Sequence, residues 1–310
     1  MSRDRNIALH EVLREIAASN LDVIEPSISH STGVIYPLVL KVAARYGISE
    51  KEALEELTLL GVLEREPHES IVVCPNCGSL RLFSKLRCPS CGSESLRRML
   101  ILAHVTCGGV NVVEEAEKLP NCSKCGKPLQ DAKTIGTLYQ CLNCGARFET
   151  PLPSWRCADC KLTFDYKQAR YTNIYRFRVR KDKLPEAAKQ LLVAIASREI
   201  AAAGLKVASS TQVKGKSGYY HSVDIAASTS DGTKVYVDIV ADSSRALSEV
   251  LASIAKEADF EDRHIVFAPK SLEKSAPSTT GSSITYYESA EDFREKLTQV
   301  LEKIRAKKRS

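Results

Sequence analysis

No apolar stretch in this 310-residue chain outruns Leu191–Ala196, far short of the roughly 20 residues a helix needs to cross a bilayer. The opening residues, Met1-Ser-Arg-Asp-Arg, put charge where a secretory leader has its apolar core. Cysteine is missing on either side of Cys74–Cys160, yet all eleven in the chain fall inside that stretch. Disulfide frameworks belong to short secreted chains, so the setting for one is lacking. These absences predict a reduced, cytoplasmic location and no membrane partner. What remains is ordinary for a globular protein: 44% hydrophobic and 26% charged residues, with length enough for two or three domains.

Inside Cys74–Cys160, ten cysteines form five C-x-x-C pairs: Cys74/Cys77, Cys88/Cys91, Cys122/Cys125, Cys141/Cys144 and Cys157/Cys160. The eleventh, Cys107, has His104 three residues before it, which makes a sixth pair of the same spacing. Two ligands two residues apart can face one ion from a tight turn, and a following glycine lets the chain leave with positive φ. Glycine follows five of the six pairs; Lys161 follows the last. Twelve ligands make three tetrahedral zinc sites with none left over. The short gap from Cys77 to Cys88 suggests that these two pairs share an ion. Sequential pairing would then join His104/Cys107 with Cys122/Cys125, and Cys141/Cys144 with Cys157/Cys160. A nested alternative joins Cys122/Cys125 with Cys141/Cys144 and the flanking pairs with each other. Sites closed by four protein ligands have no vacancy for water or substrate, so they predict folding support and not catalysis.

The order of these motifs resembles a known family. Leu102-Ala-His104-Val-Thr-Cys107-Gly108, then Cys122-Ser-Lys-Cys125, then Tyr139-Gln-Cys141-Leu-Asn-Cys144-Gly145-Ala-Arg-Phe148 with Pro151, and Cys157-Ala-Asp-Cys160 with Phe164, are similar to the thaumarchaeal output domain. The resemblance spans about 71–183. It implies a zinc-binding module of archaeal regulatory and signalling proteins, with an output or effector role and no chemistry of its own.

Charge is unevenly placed within the net +6: residues 1–73 sum to −5, 74–166 to +4, 167–183 to +6 and 184–310 to +1. Eleven thiolates and three Zn²⁺ would bring the cysteine-rich segment near neutrality. The amino-terminal region reads as three helices, Asn6–Ala18, Pro37–Tyr46 and one capped by Ser49-Glu-Lys-Glu52, followed by a hairpin of Val62–Arg65 and Ser70–Val73. That is a winged-helix-like pattern. Its third helix carries Glu50, Glu52, Glu55 and Glu56 against Lys51, which phosphates repel, so packing or dimerisation suits it better than a DNA groove. The connector alternates instead. Tyr175, Phe177 and Val179 fall on one strand face and Arg176, Arg178 and Arg180 on the other. Arginines in a row suit phosphates and aromatics suit bases; an acidic protein surface, the amino-terminal region included, would suit the same arginines.

The carboxy-terminal part predicts a helix from Pro185 to Ala203 and strands Leu205–Val213, Tyr219–Ser228 and Thr233–Val240, the last two joined at Asp231-Gly232. A helix Arg245–Ala258, a strand His264–Ala268, a Ser/Thr-rich loop Ser275–Ser283, a strand Ile284–Tyr287 and a helix to Lys303 follow. Lys303, Arg305, Lys307, Lys308 and Arg309 form a basic tail. This order, with Gly218-Tyr-Tyr-His221-Ser-Val-Asp224-Ile and Val235-Tyr-Val-Asp238-Ile-Val240, resembles a degenerate restriction-endonuclease-like nuclease fold. The resemblance implies Mg²⁺ held by Asp224 and Asp238, with Glu199 as a third carboxylate. Val240 stands where that family has its lysine. Lys234 is about 13 Å along the strand, too far to replace it, whereas Lys256 on the next helix could. His221 reads as a hairpin surface residue and not as a base.

Together these readings predict an α+β multidomain protein. A winged-helix-like domain covers 1–70, a zinc-ribbon module with three zinc sites 71–166, a basic connector strand 167–183, and an α/β restriction-endonuclease-like sandwich 184–310. The predicted function is a non-enzymatic zinc-binding regulatory or output protein. It would bind nucleic acid, DNA more than RNA, through Arg170, Tyr175, Arg176, Arg178, Arg180, Lys181 and the ribbon surfaces. A protein partner, or self-association through the amino-terminal domain, is also expected. Two alternatives stay open: a Mg²⁺-dependent endonuclease using Asp224 and Asp238, and a protein-interaction scaffold.

Overall fold

The computed structural model describes residues 5–114, 120–229, 232–275 and 284–306. Helix α1 (Arg5–Ser19) buries the stripe Ile7, Leu9, Val12, Leu13 and Ile16. Strand β1 (Val23–Ile24) and the short pair β2 (Ser27–Ser29) and β3 (Gly33–Ile35) follow, then α2 (Pro37–Ala43) and α3 (Glu50–Leu59). Pro37 opens α2 where a missing N–H costs nothing, and the Ser49 hydroxyl caps α3 by accepting from Glu52 N at 3.1 Å.

The expected hairpin after α3 is instead one strand, β4 (Leu63–Val73). Its sheet has the order β1-β12-β4, where β12 is Arg170–Val179, so β4 lies at an edge. Pro67 is tolerated there because an edge strand leaves half of its N–H groups unused. Between them come β5 (Leu82–Arg87), β6 (Leu96–His104), β7 (Gly109–Glu114), β8 (Ala132–Cys141), β9 (Arg147–Phe148), β10 (Leu152–Cys157) and β11 (Thr163–Asp165). After β12 come α4 (Leu184–Ala202), β13 (Lys206–Lys214), β14 (Tyr220–Ser228), β15 (Lys234–Ile239), α5 (Ala246–Asp259), β16 (Arg263–Pro269), β17 (Ile284–Tyr287) and α6 (Ala290–Ala306). Of the turn expected at Asp231-Gly232, Asp231 lies outside the described residues, as do nearly all of the Ser/Thr-rich loop and Lys307, Lys308 and Arg309 of the tail.

The chain divides into two compact units. One takes residues up to Ser27, Ile35–His68 and those from Tyr175 onward; the other takes Ile28–Val34 and Glu69–Ile174. In the first unit a five-stranded sheet has the order β13-β14-β15-β16-β17, antiparallel through β15 and parallel beyond it. Helix α4 serves two cores. Leu192, Ile195, Ala196 and Ile200 pack with the sheet and with Phe293 and Leu297 of α6. Ala187 and Leu191 pack with Leu9, Val12, Leu54, Leu57 and Phe177. Helix α5 contributes Ala246 and Val250 to a third cluster with Val240, Val266 and Ala268.

The second unit holds the sheets β7-β6-β8-β9 and β11-β10-β5 and the pair β2-β3. Its apolar clusters are small, one around Leu102, Val113 and Leu129 and one around Phe164. So little buried hydrocarbon does not hold such long strands by itself, which is the circumstance in which metal ligation supplies folding energy.

Candidate metal centres and carboxylate cleft

All twelve expected ligands converge into three groups whose donor atoms lie within 4.8 Å of one another. Their membership corrects the sequential pairing, because only His104/Cys107 with Cys122/Cys125 is found as expected. Cys74/Cys77 meets Cys157/Cys160, and Cys88/Cys91 meets Cys141/Cys144, so each site encloses the next. The nested alternative, built around Cys122/Cys125 with Cys141/Cys144, is not found either. The reason is β5. Its six extended residues span about 20 Å at strand rise and carry Cys74/Cys77 and Cys88/Cys91 to opposite ends. Strand β10 pairs antiparallel with β5 and sets Cys157 opposite Leu82. Strand β8 pairs with β6 and sets Cys141 opposite Leu96. A ladder that folds back on itself nests its ends.

Each pair adopts the same turn. The carbonyl of the first ligand accepts from the residue four positions on: from Gly78, Gly92, Gly126 and Gly145 at 2.8–2.9 Å, from Gly108 at 2.8 Å, and from Lys161 at 3.1 Å. Those residues all have positive φ, and Lys161 takes +63° despite its side chain. Sulfur separations of 3.4 Å (Cys74–Cys160), 3.6 Å (Cys91–Cys141) and 3.6 Å (Cys107–Cys122) are far longer than a disulfide. They are close to the edge of about 3.8 Å in a tetrahedron with metal–sulfur bonds of about 2.3 Å. His104 presents Nδ1 at 3.2 Å from Cys107 Sγ and 3.3 Å from Cys125 Sγ. The donor sets, two Cys₄ and one HisCys₃, therefore fit a tetrahedral ion of the zinc type. Asn111, which no spacing rule pointed to, is buried beside the third group, with its Nδ2 3.5 Å from Cys122 Sγ and its Oδ1 accepting from Ser123 N at 2.8 Å.

In the first unit the connector arginines face carboxylates of the amino-terminal region. Arg176 Nε is 3.0 Å and Arg178 Nε 2.5 Å from the two oxygens of Glu66, and Arg176 also reaches Glu25 at 3.6 Å. Hydrogen bonding from Arg178, joined by Arg176, holds the Glu66 carboxyl below the usual range. Arg180 pairs with Glu64 and Asp182, and Lys181 with Asp22 at 2.7 Å. The Tyr175 ring lies under the Arg65 guanidinium, 4.1 Å from its centroid. Arg170 is exposed.

A cleft of about 840 Å³ opens at the carboxyl end of β15. Asp224 and Asp238 line it from adjacent strands. Asp238 Oδ2 accepts from Lys256 Nζ at 2.9 Å and Ser253 Oγ at 3.0 Å and lies 3.2 Å from His264 Nε2, while Oδ1 accepts from Asp224 N at 3.2 Å. Burial alone would raise the Asp238 carboxyl, but hydrogen bonds from His264 and Lys256, with their charges, outweigh it and hold the group well below the carboxylate range. Asp224 accepts from Ile239 N at 2.8 Å and pairs with Lys189 at 3.0 Å.

Glu199 is not a third carboxylate of this cleft. Lys189 marks the part of α4 above the acids, and Glu199 sits ten residues further on, about 15 Å along the helix, beside Arg198. Glu186, in the first turn of α4, lines the cleft instead. Val240 is buried in the α5 cluster and cannot stand in for a lysine. His221 is bound to Asp259 at 2.7 Å, whose carboxyl is drawn down to about 2 by hydrogen bonds from Ser217 and His221.

Two solved structures show slight likeness to the chain. One, of EndoMS in apo form, shares 15% identity over 77% of this chain and 93% of that one, with a TM-score of 0.20. The other, an EndoMS–dsDNA complex, shares 12% over 70% and 94%, with a TM-score of 0.15. Likeness at that level defines neither fold nor activity. Among curated proteins none matches. A sequence model of thaumarchaeal output domain 1, by contrast, matches residues 2–179, which takes in the amino-terminal helices as well as all three ligand groups. The chain belongs to the thaumarchaeal output domain 1 family.

Proposed function

We propose that this is a non-enzymatic output protein, stapled by three structural zinc ions, that acts by docking a partner. The observation that carries the reading is the closure of the three ligand groups, each with four protein donors and hence no coordination position left for a substrate. The winged-helix-like start and the nuclease-like end would then serve as surfaces. A protein partner suits those surfaces better than nucleic acid. Arg176, Arg178, Arg180 and Lys181 already face Glu25, Glu64, Glu66, Asp182 and Asp22, and three Zn²⁺ with eleven thiolates leave the second unit near neutral. Metal-loaded protein should contain three zinc ions per chain and show no salt-sensitive retention of single- or double-stranded DNA. Retention that weakens with salt and with Arg176→Ala, Arg178→Ala and Arg180→Ala together would return nucleic acid to the first place.

A second reading is favoured by the contact between Lys256 and Asp238. It supplies beside the carboxylates the amine that Val240 withholds. Asp224 and Asp238 would hold a Mg²⁺ ion, which polarises a phosphodiester and its attacking water, while Lys256 would face the charge that develops. Cleavage of DNA with Mg²⁺ or Mn²⁺, abolished by Asp238→Asn and by Lys256→Met, would establish this reading over the first.

A further inference from the structure

The geometry points to Asp131 as a positioning residue of the innermost metal site, the outer partner that makes His104 ligate through Nδ1. This rests on the metal reading of that ligand group. An imidazole has two nitrogens, and the one that does not take the metal carries a proton and must donate it. His104 is 1% exposed, so an unpaired N–H there would carry the full cost of desolvation. Its Nδ1 faces Cys107 and Cys125, and its Nε2 lies 2.9 Å from Asp131 Oδ1. The tautomer is thereby settled: metal on Nδ1, proton on Nε2.

Asp131 is itself aimed. The other oxygen, Oδ2, accepts from Thr106 Oγ1 at 2.7 Å, and Thr106 sits within the turn between His104 and Cys107. The carboxylate thus returns to the turn whose ligand it orients. On its own side it ends a short 3₁₀ turn, Leu129–Asp131, anchored by Leu129, which is fully buried with Leu102, Val113 and Cys122. No residue type in the C-x-x-C pattern announces this link, because Asp131 lies outside every pair. There is an electrostatic consequence. A Cys₄ site with Zn²⁺ carries a formal −2, and a HisCys₃ site −1; Asp131 brings the third site to the same −2. The two other groups contain no imidazole and need no such partner.

The test uses the full chain loaded with zinc, counted first to confirm three ions, and then challenged with a chelator. Loss of a group that orients a metal-bound histidine costs about 10–100-fold in affinity. In Asp131→Ala one ion of three should leave that much more readily while two stay as in the parent, and Asp131→Asn, which keeps an acceptor without the charge, should recover part of the loss. In a His104→Cys background the site becomes Cys₄ and Asp131→Ala should have no effect. Ring ¹⁵N spectra of the parent should show His104 protonated on Nε2. Unchanged release in Asp131→Ala, equal loosening of all three ions, a full effect in the His104→Cys background, or a proton on Nδ1 would overturn the assignment. A zinc count below three would instead undermine the metal reading beneath it.

Discussion

Lys161 holds a backbone conformation that the five equivalent turns give to glycine. A side chain in the left-handed region costs roughly 1–2 kcal/mol, and glycine returns part of that as chain entropy. Lys161→Gly should therefore stabilise the metal-loaded protein by about 0.5–1 kcal/mol, read as a higher denaturant midpoint with unchanged zinc content. Asp238 poses the opposite case, an anion enclosed by Lys256, His264 and Ser253. Asp238→Ala leaves the half-buried Lys256 ammonium unanswered and should cost about 3 kcal/mol. Since the folded carboxyl titrates below its unfolded value of about 3.9, its contribution is complete above that pH and is lost as pH falls through the folded value. Stability measured from about pH 5 down through about pH 2 should therefore decline less steeply in Asp238→Asn than in the parent, with the two slopes alike above that window. At this scale the sequence disclosed the twelve ligands, because their spacing is local. It also offered Lys256 as a stand-in for the lysine that Val240 displaces, but it could not disclose Glu186 in place of Glu199, or Asp131, because those depend on where a helix or a turn is laid down.

Strands explain why the ligands were found and their partners were not. Spacing records which two residues share a turn, but the choice between turns is made by β5 against β10 and β6 against β8. A variant with Cys77→Ser and Cys160→Ser separates the possibilities. In the observed arrangement both changes fall on one site and two zinc ions should remain; sequential pairing, or the alternative joining Cys122/Cys125 with Cys141/Cys144, would leave one. Strand β4 carries the same lesson. Val62–Arg65 and Ser70–Val73 look like two strands around a turn at Pro67, yet a distant partner, β12, makes them one. The alternation in β12 itself was readable, with Phe177 and Val179 buried and Arg178 exposed. What the arginines face was not. It is the acidic amino-terminal region, one of the partners that the charge distribution allowed.

At the scale of the molecule, the two units differ in what holds them. Among the described residues all six α-helices belong to the first, where α4 feeds two apolar cores and α1 joins it in both, through Ile7 in one and Leu9 and Val12 in the other. That double role is spread over α1, α6 and a five-stranded sheet, so no window of sequence displays it. Stripping metal with a chelator under reducing conditions should leave the helical circular dichroism near 222 nm almost intact. Amide protons of Glu69–Ile174 should meanwhile lose their protection from exchange. Collapse of the helical signal at the same chelator concentration would mean that the first unit also depends on the ions. Among the described residues no helix is long and apolar enough to cross a membrane.

Enclosure of one site by the next also sets a timetable for synthesis. Cys74 and Cys77 leave the ribosome ahead of every other ligand, yet Cys157, the partner of Cys77, comes 80 residues later. At about 5–20 residues per second, two thiols wait some 4–16 seconds with no ion of their own. Meanwhile the central pairs, whose partners emerge soonest, are the first able to close. A newborn chain must keep its earliest cysteines from claiming the wrong neighbour until the last pair of ligands has emerged.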